Sequence, residues 1–350
     1  MKILFVTNNL HSSGGVQQYG KDFLRGLNEN HALEQHLEFR SGNLIAKLFF
    51  FARFILAVFL KRPDFILVNH INYAPLAVKI SQWSKIPFGV IVYGIEAWEI
   101  KEEKRRAAIK KAQVIISVSN FTAEKMVSQG YADSNQLFVV VPTLDMEEFF
   151  IQAKPEHLLA RHKLQDKKVI LTVCRLSAKE RYKGYDRVIR ALPRVLELVP
   201  EAVYVLAGEG DDKARVERLT KDLNLSEKVI FIGRPSWKEK TAYYNLADVF
   251  VMPSTGEGFG IVFLEALASG VPVIAGNKDA SPEPLLNGRL GTLINPEDIT
   301  AIAKALIEVL QAKVEKNLLD KVWLRQQVVE NFGSPSFQER VRKFIDKIEA

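Results

Sequence analysis

Met252-Pro253-Ser254-Thr255-Gly256-Glu257-Gly258-Phe259-Gly260-Ile261-Val262-Phe263-Leu264-Glu265-Ala266 reads as the end of a buried strand, a glycine-rich loop and the first turns of a helix starting near Ile261. Gly258 and Gly260 allow a ligand to approach the backbone closely. The first N–H groups of a helix lack intrahelical partners and carry the positive end of its dipole, so Phe259, Gly260 and Ile261 form the mouth of an anion site. A carboxylate accepts hydrogen bonds from paired hydroxyls. Glu257, just ahead of the helix, is therefore placed for sugar hydroxyls, and Glu265, just over a turn in, for a ribose diol.

Outward from this block, the same strand–helix rhythm fills the second half of the chain. Strand patterns at 168–174, 202–207, 228–232, 249–252, 271–275 and 291–294 alternate with helical patterns at 185–198, 212–223, 238–247, 261–269 and 299–310. The first half repeats it, with strands at 2–7, 65–68, 88–93, 114–118 and 137–141 and helices near 16–27, 75–83, 101–111 and 122–128. Such alternation is the signature of parallel sheets covered on both faces. The stretch 142–165, polar and containing Pro155, reads as a linker. The expectation is an α/β protein with two Rossmann-like domains facing across a deep cleft. Residues 1–160 form the first domain and 161–335 the second, with 336–350 a final helix returning to brace the first. Ligands of such sheets bind beyond the carboxyl ends of the strands, which places the active site between the halves.

Composition sets the outer limits. The 350 residues are 47% hydrophobic and 25% charged, with 48 Lys and Arg against 41 Asp and Glu, a net charge of +7. That balance suits anionic partners, but no nucleic-acid-binding signature accompanies it. The single cysteine, Cys174, excludes an internal disulfide framework or a cysteine metal site. The apolar start, Met1 to Thr7, is too short for a signal peptide and reads as a buried strand, so a cytoplasmic location is expected. Residues 44–60, LIAKLFFFARFILAVFL, are slightly short for a spanning helix and interrupted by Lys47 and Arg53. They read first as a helix covering the sheet. The second reading is a Phe-rich face dipping into an anionic membrane surface, flanked by Lys47, Arg53, Lys61 and Arg62.

Two further loops carry candidate chemistry. Gly14-Gly15 follows the first strand and precedes a helix, which suits either an anion site or a plain tight turn. The dinucleotide fingerprint Gly-x-Gly-x-x-Gly is missing there, which counts against an NAD enzyme. After the strand ending at Cys174, Arg175 and Lys183 put two cations at the carboxyl edge of a sheet, where a guanidinium fork and an ammonium point charge neutralise a diphosphate. Lys179 and Arg181, in the same run, read as solvated loop charges.

The Glu-x7-Glu spacing of Glu257 and Glu265 inside EGFGIVFLEALASGVPV closely resembles glycosyltransferase family four, a large family of retaining enzymes with the two-Rossmann-domain GT-B fold. Other segments agree in order: Gly14-Gly15, Tyr93-Gly94-Ile95-Glu96-Ala97-Trp98, Val118-Ser119-Asn120-Phe121-Thr122, Val141-Pro142-Thr143-Leu144-Asp145, Arg175, Lys183-Gly184 and Gly208-Glu209-Gly210. The resemblance implies a retaining, metal-independent hexosyl transfer from a UDP- or GDP-sugar to a lipid-linked or oligosaccharide acceptor, in bacterial cell-surface polysaccharide or glycolipid synthesis. It implies no cofactor, and the chain holds no Asp-x-Asp segment for a divalent ion. Arg175, Lys183 and Glu257 take the catalytic roles by this resemblance. Gly15, Gly208, Gly233, Arg234, Gly258, Phe259, Gly260, Ile261 and Glu265 hold the donor, and Gly14, Tyr93, Glu96 and Ser119 lie on the acceptor side. The family usually has histidine where this chain has Tyr93, a poor base at neutral pH. Either that histidine is dispensable, the donor phosphate taking the acceptor proton, or another group substitutes, or activity is weakened. His11 and His70 also lie near strand ends. Cys174 stands where the family commonly has glycine and reads as a small core residue. A non-catalytic sugar-nucleotide-binding subunit and a nucleotide-sugar epimerase remain as alternatives on the same fold.

Overall fold

The computed structural model describes residues 1–10, 14–39 and 44–350, so His11 lies outside the described residues. The chain forms two compact units, Met1–Thr143 with Ser334–Ala350, and Leu144–Gly333.

The first unit runs β1 (Ile3–Asn8), α1 (Gly15–Glu29), β2 (Leu33–Phe39), α2 (Leu44–Lys61), β3 (Phe65–Val68), α3 (Ala74–Ser84), β4 (Phe88–Val92), α4 (Ile95–Trp98), α5 (Glu103–Ile109), β5 (Val114–Ser117), α6 (Asn120–Ser128) and β6 (Leu137–Val139). The strands form one parallel sheet in the order β2-β1-β3-β4-β5-β6. Apolar runs such as FILV and FGVIV are buried throughout, because helices cover both faces of a parallel sheet. On one face, Leu4, Val6, Ile66, Val68 and Val90 pack with Phe50, Phe54, Ala57 and Val58 of α2. On the other, the Phe5 ring meets Phe23, and the rings of Tyr19 and Phe23 meet Phe337 and Phe344 of the chain's last helix, residues Ser334–Glu349, which belongs to this unit. The sequence pattern missed β2. Its stretch LEQHLEF is half-buried at the sheet edge and lacks the apolar run by which the central strands are recognised.

The second unit runs α7 (Glu156–His162), β7 (Lys168–Val173), α8 (Tyr185–Leu198), β8 (Ala202–Ala207), α9 (Lys213–Asp222), β9 (Val229–Gly233), α10 (Trp237–Leu246), β10 (Val249–Met252), α11 (Ile261–Ala268), β11 (Val273–Gly276), β12 (Thr292–Ile294), α12 (Ile299–Leu310) and α13 (Lys321–Phe332). Its parallel sheet has the order β12-β11-β10-β7-β8-β9. One face carries a large core of α8 and α12 side chains, including Tyr185, Ile189, Leu192, Ile302 and Leu306. On the other face Tyr244 of α10, Phe250 of β10 and Phe263 of α11 stack edge to face or tilted, 5.8 and 5.9 Å apart.

The boundary falls earlier than the position near 160 expected from sequence, and the reason is specific. Residues 144–155, read as linker, are tied into the second unit: Leu144 N–H donates to the Phe332 carbonyl, Gln152 N–H to Asn245, and Lys154 pairs with Asp248 at 2.6 Å. Arg325 of α13 clasps the Met146, Phe149 and Ala268 carbonyls. The rest of the expected linker forms α7 and the turn into β7.

Candidate active site

In a doubly wound sheet the ligand crevice lies where strand order reverses, at the carboxyl ends of the two central strands. In the second unit those strands are β7 and β10. Arg175 follows β7, Lys183 closes the 3₁₀ turn Ala178–Lys183 before α8, and Glu257 lies in the loop after β10. The structure brings all three together with a fourth group, Glu180. The Lys183 ammonium donates to Glu257 Oε1 at 2.5 Å and lies 3.8 Å from Glu180 Oε2, while the Arg175 guanidinium pairs with Glu180 Oε1. Lys183 and Glu257 are 14% and 15% exposed, whereas Arg175 is 79% exposed and so open to solvent. Burial opposes the Lys183 charge, but the adjacent Glu257 carboxylate outweighs it and raises the ammonium's pKa. Glu257 is fixed from behind, its own N–H donating to the buried Asp279 at 2.6 Å. Lys183 also lies over the Tyr182 ring, 5.4 Å from its centre, and that ring fills the space beside Gly256.

Two backbone positions make this close assembly possible. Gly184, the residue after Lys183, has φ +75°, and a Cβ there would lie 2.3 Å from the Pro253 carbonyl oxygen. The αL conformation and the missing side chain let the β7 and β10 loops touch. Gly208 does the same on the other side, since a Cβ would meet the Cys174 carbonyl at 1.8 Å. Gly208 N–H in turn donates to the Gly233 carbonyl, so the expected donor-side residues Gly208, Gly233 and exposed Arg234 share one sheet edge at the ends of β8 and β9.

The loop after β10 holds Gly258, Phe259 and Gly260, and Gly260 caps α11, whose first residue is Ile261. Phe259 itself is buried against Phe332, ring centres 5.9 Å apart, so only its backbone faces a ligand role. Glu265 is 3% exposed, with Lys240 donating to Oε1 and the Tyr244 hydroxyl to Oε2 at 2.6 Å. Both donors come from α10. A carboxylate has about four acceptor positions, so two remain for a diol. Cys174 is pushed up to about 12 by burial and stays a neutral thiol.

Arg181 belongs to a different network. Its Nε donates at 2.9 Å to Asp212, which also receives Arg215 and the Tyr185 hydroxyl. Burial opposes the Asp212 charge, but these donors prevail and hold the carboxyl down to about 2.

In the first unit, Gly14 caps α1 and Gly15 is its first residue. Tyr93 follows β4; its hydroxyl donates to Asn69, and its ring meets Tyr19 edge-on at 5.5 Å. Burial, then Tyr19 and Glu96, keep this phenol well above its ordinary pKa. Glu96 accepts the Tyr93 N–H at 2.5 Å, and burial raises its pKa. Ser119 is the N-cap of α6, accepting from Thr122 N–H at 3.2 Å, a structural task that leaves it buried. His70 stacks on Tyr93 at 6.2 Å and accepts the Asn72 N–H through Nδ1. Burial, then Arg105, lowers its pKa to about 4, so the ring is neutral with its proton on Nε2. A neutral imidazole thus lies against the Tyr93 ring.

Sequence reasoning missed Glu180, Asp279, Lys240 and Tyr244. Glu180 lies within KERYKG, where a lone carboxylate among cations reads as one more solvated loop charge. Asp279 carries a weak signal in Asp-Ala-Ser-Pro, since Ser281 N–H closes a turn onto it. Lys240 and Tyr244 give none, because their partner is 25 and 21 residues away on another helix. Among the described residues, no group of three His, Cys, Asp or Glu side chains could hold a metal ion.

Residues 156–321 match the family described as glycosyl transferases group 1. The chain is similar to the GDP-mannose-dependent alpha-(1-6)-phosphatidylinositol monomannoside mannosyltransferase of Mycolicibacterium smegmatis, 33% identical over 207 residues, 57% of this chain and 53% of that one. It therefore spans about half the length of the curated relatives it matches. Among solved structures, HepE of Anabaena in complex with UDP has 18% identity and a TM-score of 0.80, covering 99% of this chain and 100% of its own. The sucrose-phosphate synthase of Thermosynechococcus elongatus has 19% identity and a TM-score of 0.75, covering 99% of each. At these identities the likeness establishes the fold, GT-B with its two Rossmann-like units.

Proposed function

We propose, from the membership of residues 156–321 in the group 1 glycosyl transferases, that this chain transfers a hexose from a nucleoside-diphosphate sugar to an acceptor hydroxyl, retaining the anomeric configuration and using no metal. The observation that carries the reading is the Arg175, Lys183 and Glu257 cluster at the strand-order reversal between β7 and β10. As the bond to the leaving diphosphate breaks, negative charge grows on its oxygens. Arg175 offers a planar fork and Lys183 a point charge, both preorganised at that edge. Glu257, bound to Lys183 on one oxygen, has the other for sugar hydroxyls. Glu265 holds the ribose. The acceptor attacks from the face the diphosphate leaves, and a phosphate oxygen takes its proton, so no protein base is required at Tyr93.

The acceptor in this reading is lipid-linked, and the protein works at the inner face of an anionic cytoplasmic membrane. No helix of the described residues is long and apolar enough to cross a membrane. Helix α2, however, has two apolar faces. Phe50, Phe54, Ala57 and Val58 enter the core, while Ile45, Leu48, Phe49, Leu56, Phe59 and Leu60 are 54–74% exposed. The cations Lys47, Arg53, Lys61 and Arg62 adjoin them, and the helix holds no acidic residue. This pattern suits a helix lying in the lipid interface. Sedimentation with vesicles containing phosphatidylglycerol is expected to capture the protein, and F49S with F59S to release it. No capture at low salt refutes the membrane contact.

The donor reading is tested by calorimetric titration with UDP, GDP and NAD in EDTA, beside Arg175→Ala and Glu265→Gln. UDP or GDP is expected to bind, and both variants to weaken it. Absence of binding by either nucleoside diphosphate overturns the reading, and measurable transfer to any acceptor removes the non-catalytic alternative.

A further inference from the structure

We propose that Glu180 is a positioning residue: the resting counter-anion of the phosphate-binding cations, holding Arg175 until a diphosphate takes its place. This rests on the reading of the site as one for a nucleoside diphosphate. The four charges at the ends of β7 and β10 are Arg175, Lys183, Glu180 and Glu257, and they sum to zero. From these four side chains a multiply charged diphosphate meets little net attraction, beyond what the α11 N-terminus supplies, unless one carboxylate gives way.

The geometry identifies which one. Glu257 is held on two sides, by Lys183 through its carboxylate and by Asp279 through its backbone. Glu180 is held more loosely. Its Oε2 is buried, makes no hydrogen bond and lies 3.8 Å from Lys183. Its Oε1 is bound to Arg175, the most solvent-exposed member of the group. The backbone at Glu180 also departs from the 3₁₀ turn around it, at φ −119° and ψ 26°. A desolvated carboxylate oxygen without a donor is unfavourable for the fold, and the cations beside it are the groups that Glu180 serves.

Diphosphate binding is then an exchange of partners, in which the Arg175 fork moves from one oxyanion to another of matching geometry. Repulsion between Glu180 and the phosphates weakens that complex and hastens release of the nucleoside diphosphate after transfer. The charge, not the shape, of Glu180 carries the effect.

The test is Glu180→Gln, with Glu180→Ala as a second neutral variant and Glu180→Asp as a charge-keeping control, each checked for an intact melting transition. Titration with UDP and GDP is expected to show roughly tenfold tighter binding by both neutral variants than by the parent, with parent-like binding by Glu180→Asp. In turnover, donor KM and kcat are both expected to fall in the neutral variants as product release slows. A purely structural Glu180 predicts unchanged or weaker binding, and that result in folded neutral variants overturns the proposal while leaving the donor reading intact. Loss of the folded state in both neutral variants assigns Glu180 to the fold and also overturns it. If the parent binds neither nucleotide, the donor reading itself fails and this inference with it.

Discussion

Lys240→Met is expected to destabilise the second unit by about 3–5 kcal/mol, the usual consequence of stripping one partner from a buried ion pair. Glu265 is 3% exposed and Lys240 17%. Without Lys240, the largely buried carboxylate keeps one neutral donor, the Tyr244 hydroxyl at 2.6 Å, in place of an ammonium. A smaller part of the loss comes from the Phe149 ring, whose centre lies 5.6 Å from the ammonium. At exposed sites such a contact contributes about 0.5–1 kcal/mol. Glu265→Gln is expected to cost less, about 1–2 kcal/mol, since the amide oxygen still accepts from Tyr244 and the lysine can reach toward water. The double variant removes both charges and is expected to recover about 2 kcal/mol relative to the sum of the single costs. Urea denaturation followed by circular dichroism measures all three, with unchanged slopes as the sign that only stability moved. A Lys240→Met cost below about 1 kcal/mol, or strict additivity in the cycle, refutes the buried-pair reasoning. Nucleotide affinity adds a second readout, because a carboxylate displaced from its α10 donors cannot hold a ribose.

Gly184→Ala is expected to lower stability by at least about 1–2 kcal/mol from the αL backbone alone, with further loss from the clash with the Pro253 carbonyl; thermal melting reads it. Arg175→Ala and Arg181→Ala should separate cleanly. The first weakens nucleotide binding with little change in melting, since Arg175 is exposed. The second spares binding and costs stability, about 1 kcal/mol, through the buried Asp212. Stability is also expected to fall as pH drops from about 6.5 to 4. His70 has a folded-state pKa of about 4, below its unfolded value, so the unfolded chain binds more protons within that window. The 2.5-unit difference sets a ceiling of about 3 kcal/mol, and His70→Asn, which can still cap Asn72 N–H, should flatten the profile measured by urea denaturation.

Central strands were legible in the sequence because a buried parallel strand must be apolar on both faces, as FILV and VFVM are. Edge strand β2 was not, since its polar residues satisfy no simple period. The loops that hold Arg175, Lys183 and Glu257 could be placed from their position after strands. Their mutual contacts depend on Gly184 and Gly208, whose need for a vacant Cβ shows only in three dimensions. The first-unit candidates fare differently. Ser119 has a cap's sequence context, serine directly ahead of an α-helix, and capping is what it does. The pairing of Tyr93 with Asn69 and His70 joins strand ends 23 and 24 residues apart, with nothing local to announce it.

The aromatic cover that Phe337 and Phe344 lay over Tyr19, Phe23 and Phe65 has a consequence during synthesis. Those rings leave the ribosome long before their cover, with the 190 residues of Leu144–Gly333 between them. At about 5–20 residues per second those 190 residues alone take roughly 10–40 s. The second unit, contiguous in the chain, needs nothing beyond Gly333 in order to fold. The first waits with an apolar face open, and the order of completion reverses the order of translation. Chains truncated after Gly333 and freed from the ribosome should therefore protect the second unit from protease while leaving the first open to cleavage.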